Sequence, residues 1–352
     1  MLWLIYTTGE CNLKCSYCGG SFDPNVVPWS VKYDLKALKE KIESDPEAVI
    51  IFYGGEPLLN SSFIMNVMDR INAKRFGVQT NGINIQNLPQ SYWKNMSVVL
   101  LSIDGKKQTT DRFRGRGTYD TVLKNFKMLN SIGIEKIIAR MTVTQYTDIY
   151  EDVMHLFSIG FKYVHWQLNA VWSKRWNIKS WAESSYIPGI KRLRKKFLND
   201  ASKGKVLGII PFLGILSAHY FEGYKGPPCG AGYRSVSITT DGRVLACPIA
   251  VFEKWAELGS INKGFLLKEI EIPAMCKTCK YFRYCGGRCL YSLMEGKNLW
   301  QSLYYDLDEI TRKTIEEVIY MTKYLDRYIK SGILNKDLFK YDPTLDSTEV
   351  IP

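Results

Sequence analysis

Three cysteines, Cys11, Cys15 and Cys18, fall within eight residues at C-x3-C-x2-C spacing, directly after the apolar run Leu2 to Tyr6. A loop this tight can point three thiolates at one centre. Three thiolates hold three corners of a four-iron cluster and leave the fourth iron open, and ligation by closely spaced cysteines is a recurrent pattern for such clusters. A structural zinc site asks for four closed ligands, and no nearby Cys or His supplies the fourth. The other six cysteines lie between Cys229 and Cys289, and Cys276, Cys279, Cys285 and Cys289 are spaced C-x2-C-x5-C-x3-C. Thiolates alone do not separate zinc from iron–sulfur at that compact run. Clustered cysteines in a chain of 352 residues point to metal and a reducing cytoplasm rather than to a secreted disulfide framework.

The elements that must position these thiols follow from hydrophobic pattern. The run Ala48 to Tyr53 is continuously apolar, as in a strand buried on both faces of a parallel sheet. It ends in Gly54-Gly55-Glu56-Pro57, where two glycines let backbone approach a ligand closely and Glu56 can accept hydrogen bonds from an ammonium group. The alternation continues with a helix over Ser61 to Lys74, strands over Phe76 to Thr80 and Ser97 to Ile103, a helix over Tyr119 to Ile132, a strand over Lys136 to Thr144, a helix over Ile149 to Ile159 and a strand over Lys162 to Leu168. Strands alternating with helices imply a parallel sheet with right-handed crossovers.

The cysteine loop and the Gly-Gly-Glu turn together resemble the radical S-adenosylmethionine (SAM) superfamily, whose signature is C-x3-C-x2-C, commonly with an aromatic residue before the last cysteine; Tyr17 stands there. The resemblance implies an open (β/α)6 partial barrel of TIM-like α/β type. It implies a [4Fe-4S] cluster on Cys11, Cys15 and Cys18 whose open iron chelates SAM, and reductive cleavage of SAM to a 5′-deoxyadenosyl radical that abstracts hydrogen from a substrate. It places Gly54, Gly55 and Glu56 at the SAM amino group. Thr80, Ser102, Asp104 and Arg140, at strand ends, would meet the ribose and the methionine carboxylate, and Leu168 the adenine. The Arg-Gly segment 111–117 reads as a solvated basic loop beside the mouth, and the basic run 191–196 as a solvated helix face.

After a loop-like stretch at 223–232, Ser235 to Thr239 and Arg243 to Cys247 flank Asp241-Gly242 and read as a β-hairpin. Cys229, then Gly242-x4-Cys247, then the C-x2-C-x5-C-x3-C run resemble the SPASM extension of radical SAM enzymes, a twitch-related cysteine-rich domain found on many peptide modifiers. The seventh cysteine of that pattern is missing after Cys289. Cross-over ligation as in the family would put Cys229, Cys247 and Cys289 on one auxiliary [4Fe-4S] cluster and Cys276, Cys279 and Cys285 on a second, each short of a protein ligand; the alternative is a single four-thiolate auxiliary cluster. Where sulfatase-maturing relatives carry an Asp base after the hairpin cysteine, this chain has Pro248.

The expected organisation is a radical SAM barrel over 1–222, a SPASM-like domain over 223–292, and a helical element with a tail of little core-forming content over 293–352. The expected activity is radical modification of a peptide or protein, by crosslinking, side-chain oxidation or epimerisation, with electrons from a flavodoxin or ferredoxin. The formal net charge of +12 keeps an RNA or small-molecule substrate as the alternative, and a non-catalytic iron–sulfur or zinc protein binding RNA as a second. No run is long and apolar enough for a membrane anchor. Trp166, Trp172, Trp176 and Trp181 crowd one stretch, either at the barrel mouth or in an inter-domain contact. His155, His165 and His219 lack metal spacing. No catalytic acid or base is assigned.

Overall fold

The computed structural model describes residues 1–170, 175–268, 271–299 and 303–350; Trp172 lies outside them. Six parallel strands run in sequence order: β1 (Leu2–Thr8), β2 (Val49–Gly54), β3 (Arg75–Thr80), β4 (Met96–Ser102), β5 (Lys136–Val143) and β6 (Tyr163–Leu168). Helices α1 (Leu35–Glu43), α2 (Ser61–Arg70), α3 (Lys107–Arg114), α4 (Thr118–Ile132) and α5 (Ile149–Ser158) fill the crossovers. The helices start where capping chemistry starts them. Asp34, Asn60 and Asp148 each accept a backbone N–H of the first turn, satisfying donors that the helix itself leaves free.

The strands are continuously apolar because both of their faces are buried. Trp3, Ile5, Ile50, Phe52, Val99 and Leu101 face the helices. Leu2, Leu4, Val49, Ile51, Val98, Leu100 and Ile138 alternate with them and fill the inside of the barrel. The expected partial barrel is therefore present. It is extended at one edge by β7 (Gly208–Ile209), which pairs with β6 and leads into the buried helix α7 (Ile210–Tyr220).

The other edge joins the two cysteine-bearing regions. The hairpin strands β8 (Ser235–Ile238) and β9 (Arg243–Leu245) pair antiparallel as expected, but β8 also pairs in parallel with β1, so that among the described residues one eleven-stranded sheet runs from β11 (Gly264–Phe265) and β10 (Glu257–Ser260) through the barrel. Leu4 lies opposite both Ile51 and Ser237. The hairpin is thereby held to the strand that precedes Cys11. Beyond it, α8 (Leu290–Leu299) and α9 (Leu303–Lys330) form the C-terminal helical element, and α9 packs on α6 (Ile187–Ala201).

Two expectations are corrected here. Of the segment 111–117 expected to be a solvated loop, residues 111–114 end helix α3 with Arg114 buried, while 115–117 form a turn and Arg112 and Arg116 are exposed. Residues 336–350 are not a loose tail: Phe339, Thr348 and Val350 are fully buried, and Asp346 is nearly so. Tyr341 and Leu345 pack against the apolar side chains inside the barrel, and Lys136 pairs with Asp346. The basic run on α6 meets carboxylates of neighbouring helices, with Arg192 bonded to Glu151 and Arg194 to Glu317. No described helix is long and apolar enough to cross a membrane.

Candidate active site

The loop 9–20 leaves β1 where the β1–β2 register shifts between Tyr6 and Thr8. It is pinned against the Gly-Gly-Glu turn by two backbone bonds, Gly55 N–H to Thr8 O at 3.0 Å and Glu56 N–H to Glu10 O at 2.8 Å. The approach is closer than any side chain permits: a Cβ on Gly54 would lie 2.3 Å from Thr8 O, and one on Gly55 2.1 Å from Glu10 O. This is the reason for two glycines at this turn. From the other side, Ser16 N–H bonds to Phe113 O, and the Tyr17 ring stacks on Phe113 at 5.8 Å.

Cys11, Cys15 and Cys18 line one cavity of about 270 Å³ together with Gly54, Gly55, Glu56, Thr80, Ser102, Arg140, Leu168 and Tyr17. Nearly every residue expected at the cluster and at SAM is thus brought to one hollow at the C-terminal ends of the strands, where barrels of this kind carry their chemistry. All three thiols are free, and the contact between Cys15 and Cys18 holds the Cys18 thiol below its usual value and raises Cys15. Burial raises Cys11 to about 11. Among the described residues, no three His, Cys, Asp or Glu side chains converge tightly enough to share one ion. A four-iron cluster makes a different demand, since each thiolate binds its own iron at a separate corner. Free thiols around one hollow, beside backbone that approaches through glycine, fit that group and SAM next to it.

Three of the expected residues already hold partners within the chain. Asp104 does not line the cavity. It is fully buried and accepts from Arg114 Nε and Nη2, from the Tyr17 hydroxyl and from Thr142 N–H, each at 2.8 Å. Its charge orders the tyrosine of the cysteine loop. Glu56 has both oxygens engaged: Oε1 accepts from Thr80 Oγ1 and Leu58 N–H, and Oε2 from Asn81 N–H. It ties β2 to β3, and burial raises its carboxyl to about 7 despite those bonds. Arg140 lines the cavity, but its guanidinium already meets His165 Nδ1 at 2.7 Å, Gln167 Oε1 at 2.8 Å and the Glu349 carboxylate at 3.0 Å. The charge expected to meet the methionine carboxylate is matched from within the chain.

Several site residues went unremarked in the sequence. Asn81 donates to Asn12 Oδ1 at 2.8 Å and lies 3.9 Å from Cys11 Sγ. Tyr53, Gln79, Gln167 and Arg288 also line the cavity. Arg288 is buried with left-handed backbone (φ 69°), a conformation uncommon outside glycine, and its guanidinium stands over the Tyr304 ring. Arg114, expected in a solvated loop, lines the cavity as well, at the end of helix α3.

The later cysteines divide into two sets. Cys247 is buried in an apolar cluster with Ala250, Leu290 and Tyr291, and Cys229 and Cys289 pack against that cluster. Cys285 feels the charges of Cys276 and Cys279. Cys289 therefore leaves the compact run in which it sits in the sequence and joins the two hairpin-side cysteines. A second cavity, of about 610 Å³, opens beside the first. The two share Tyr17, Cys18, Gly20, Phe22 and Asn169. Phe113, Tyr146, Trp176 and Phe252 line the larger one, with Asp23 and Arg175 among its polar groups.

Residues 5–159 match the family profile described as the radical SAM superfamily. Over 319 residues the chain is 24% identical to a cysteine-type anaerobic sulfatase-maturating enzyme of Clostridium perfringens, spanning 79% of this chain and 85% of that one. It is 24% identical over 323 residues to mycofactocin maturase MftC of Mycolicibacterium smegmatis, spanning 80% of this chain and 76% of that one. A solved structure described as native anSMEcpe with bound AdoMet and Kp18Cys peptide superposes with a TM-score of 0.72 at 22% identity, over 94% of this chain and 99% of that one, and so shares the fold.

Proposed function

We propose that this chain, a radical SAM enzyme working with a four-iron cluster and SAM, modifies a side chain of a peptide or protein. The observation that carries this reading is the adjoining pair of cavities. One holds the cysteine loop and the expected SAM residues; the other, about 610 Å³ and walled by aromatic rings, has room for a side chain with its flanking backbone. Apolar walls with a few polar groups are the usual make-up of a site that binds organic groups. The maturases among the relatives, and the peptide in the superposed structure's description, support the same substrate class.

Cys11, Cys15 and Cys18 would hold the cluster, and the glycine turn with Thr80, Ser102 and Leu168 would hold SAM. When bound, the two supply one-electron chemistry that removes a hydrogen atom from a substrate carbon. The chain's own part is positional. Arg114 and Asp104 fix Tyr17, Asn81 steadies Cys11, and Tyr146, Trp176 and Phe252 exclude water around the side chain to be modified. Cys229, Cys247 and Cys289, and separately Cys276, Cys279 and Cys285, would hold two auxiliary clusters able to take up the electron left on an oxidised product. The net charge of +12 suits docking of an acidic electron carrier such as flavodoxin or ferredoxin.

The test is anaerobic reconstitution of the full chain, with iron counted and SAM cleavage assayed beside Cys11→Ala/Cys15→Ala/Cys18→Ala. Three clusters predict about twelve irons per chain, falling by about four in the variant, with loss of 5′-deoxyadenosine. Deuterium passing from a labelled peptide into 5′-deoxyadenosine identifies the substrate class. Deuterium from labelled RNA and none from peptide overturns it, and absence of SAM cleavage overturns the radical reading.

A further inference from the structure

The two later cysteine sets each number three, and the seventh cysteine that would complete one of them is absent. The structure brings the C-terminal segment against the turn that carries the first of these cysteines. The C-terminal segment lies against the turn after Cys229: a Cβ on Gly230 would touch Thr344 Cγ2 at 3.1 Å, and Arg234 holds Asp342 at 2.8 Å and Thr344 Oγ1 at 2.9 Å. The segment then brings Glu349 to Arg140, a residue that lines the same cavity as Cys289.

Glu349 is held at two points. Its carboxylate accepts from Arg140 Nη2 at 3.0 Å, and its backbone carbonyl bonds to His165 Nε2. Burial and the neighbouring Arg140 push the His165 pKa well below its usual value. A neutral ring accepts at Nδ1 from Arg140 and donates from Nε2 to the Glu349 carbonyl, so Arg140, His165 and Glu349 close a ring of contacts. After burial, the carboxylate's charge is the largest influence raising the Cys229 and Cys289 thiols, and it raises Cys247 less. Its side chain keeps 18% exposure within a segment whose neighbours Thr348 and Val350 have none. A carboxylate oriented by a guanidinium that shares a cavity with Cys289 has the chemistry of an oxygen ligand.

We infer that the Glu349 carboxylate is the fourth protein ligand of the auxiliary cluster held by Cys229, Cys247 and Cys289, with Arg140 and His165 as its positioning residues. This rests on the reading that those cysteines hold a cluster. It makes the C-terminal segment part of the metal centre and leaves no open iron there for a substrate.

The test uses the full chain carrying Cys11→Ala/Cys15→Ala/Cys18→Ala, reconstituted anaerobically, so that only auxiliary clusters are seen. Glu349→Gln and Glu349→Cys are compared with this parent by iron and sulfide content and by electron paramagnetic resonance after brief ferricyanide oxidation, which expels an iron lacking a protein ligand. The expected result is a rise of about one three-iron spin per chain in the Gln variant and no rise in the Cys variant. A Gln variant identical to the parent overturns the ligand assignment and leaves the cluster intact. A rise in both variants also overturns it, because the segment then acts only through its packing. A parent that holds no iron overturns the cluster reading and the ligand with it.

Discussion

The guanidinium of Arg114 and the carboxylate of Asp104 meet through two parallel hydrogen bonds of 2.8 Å, with side-chain exposures of 7% and 0%. The fork matches the carboxylate edge to edge, the geometry in which arginine is not replaceable by lysine. Because Tyr17 bonds to the same carboxylate, this pair connects the α3 helix to the middle of the cysteine loop. Removing one partner strands a charge. Asp104→Asn is expected to cost about 3–5 kcal/mol in denaturant unfolding, while the double variant Asp104→Leu/Arg114→Met costs less than the single one. Equal losses in the two would show that the pair carries no such penalty.

The closeness of the cysteine loop to the Gly-Gly-Glu turn makes a second prediction. Gly55→Ala forces a methyl to within 2.1 Å of Glu10 O, backbone that belongs to the cysteine loop. Overpacking of this kind costs about 1–3 kcal/mol, and the loop carrying Cys11 must shift to relieve it. Iron retained after reconstitution and desalting should fall with the melting temperature. Gly117→Ala is the control. Its φ is 83° but nothing lies within 4 Å of an added Cβ. It should lose about 1 kcal/mol from left-handed strain alone and keep its iron.

These pairs also show what the sequence disclosed. The barrel strands were legible because burial on both faces leaves long apolar runs such as Val49 to Tyr53, and the glycine turn because its residue types are tied to close backbone approach. Arg114 was misread because an arginine among glycines looks solvated until Asp104, ten residues earlier, is folded beneath it. The parallel pairing of β8 with β1 joins residues more than two hundred positions apart, for which local pattern carries no signal. The segment Tyr341 to Val350 has few apolar residues at strand or helix spacing. It is buried through specific polar bonds, to Lys136, Arg140, His165 and Ser217, which only the assembled barrel presents.

Glu56 predicts a pH dependence. Burial raises its carboxyl from 4.5 to about 7, so between those values the folded chain binds a proton that the unfolded chain has released. Stability from this group is fully present below pH 4.5 and is lost as pH rises through 7, by about 3 kcal/mol in all. Glu56→Gln removes that slope. It also turns an amide N–H₂ toward one of the N–H or O–H donors that the carboxylate accepts, at a cost of about 1–3 kcal/mol. Unfolding free energies of the two proteins from pH 4.5 to 7.5 should therefore differ most at the acid end and converge toward neutrality. A constant difference would show that Glu56 stays ionised throughout. Asp152, also raised by burial, contributes equally to both and drops out of the comparison.

The seating of the C-terminal segment can be measured without touching the cofactor cavity. Gly214, on the buried helix α7, faces Val350 so closely that an added Cβ would lie 2.1 Å from Val350 Cγ1. Val350 itself is fully buried. Gly214→Ala should destabilise the chain by about 1–3 kcal/mol, because the helix backbone is fixed and Val350 must move. Val350→Ala should cost about 2 kcal/mol through the cavity it leaves. In the double variant the new methyl occupies the space the valine vacates, so the two losses should fall short of additive by about 1 kcal/mol or more. Limited proteolysis supplies the second readout. The Gly214→Ala chain should be trimmed from its C-terminus faster than the wild type, and the double variant at close to the wild-type rate. Strict additivity, together with equal trimming of all four chains, would mean that Val350 does not sit on Gly214 in solution. The same segment carries Glu349 to Arg140, so this coupling reports whether the carboxylate inside the barrel is held there.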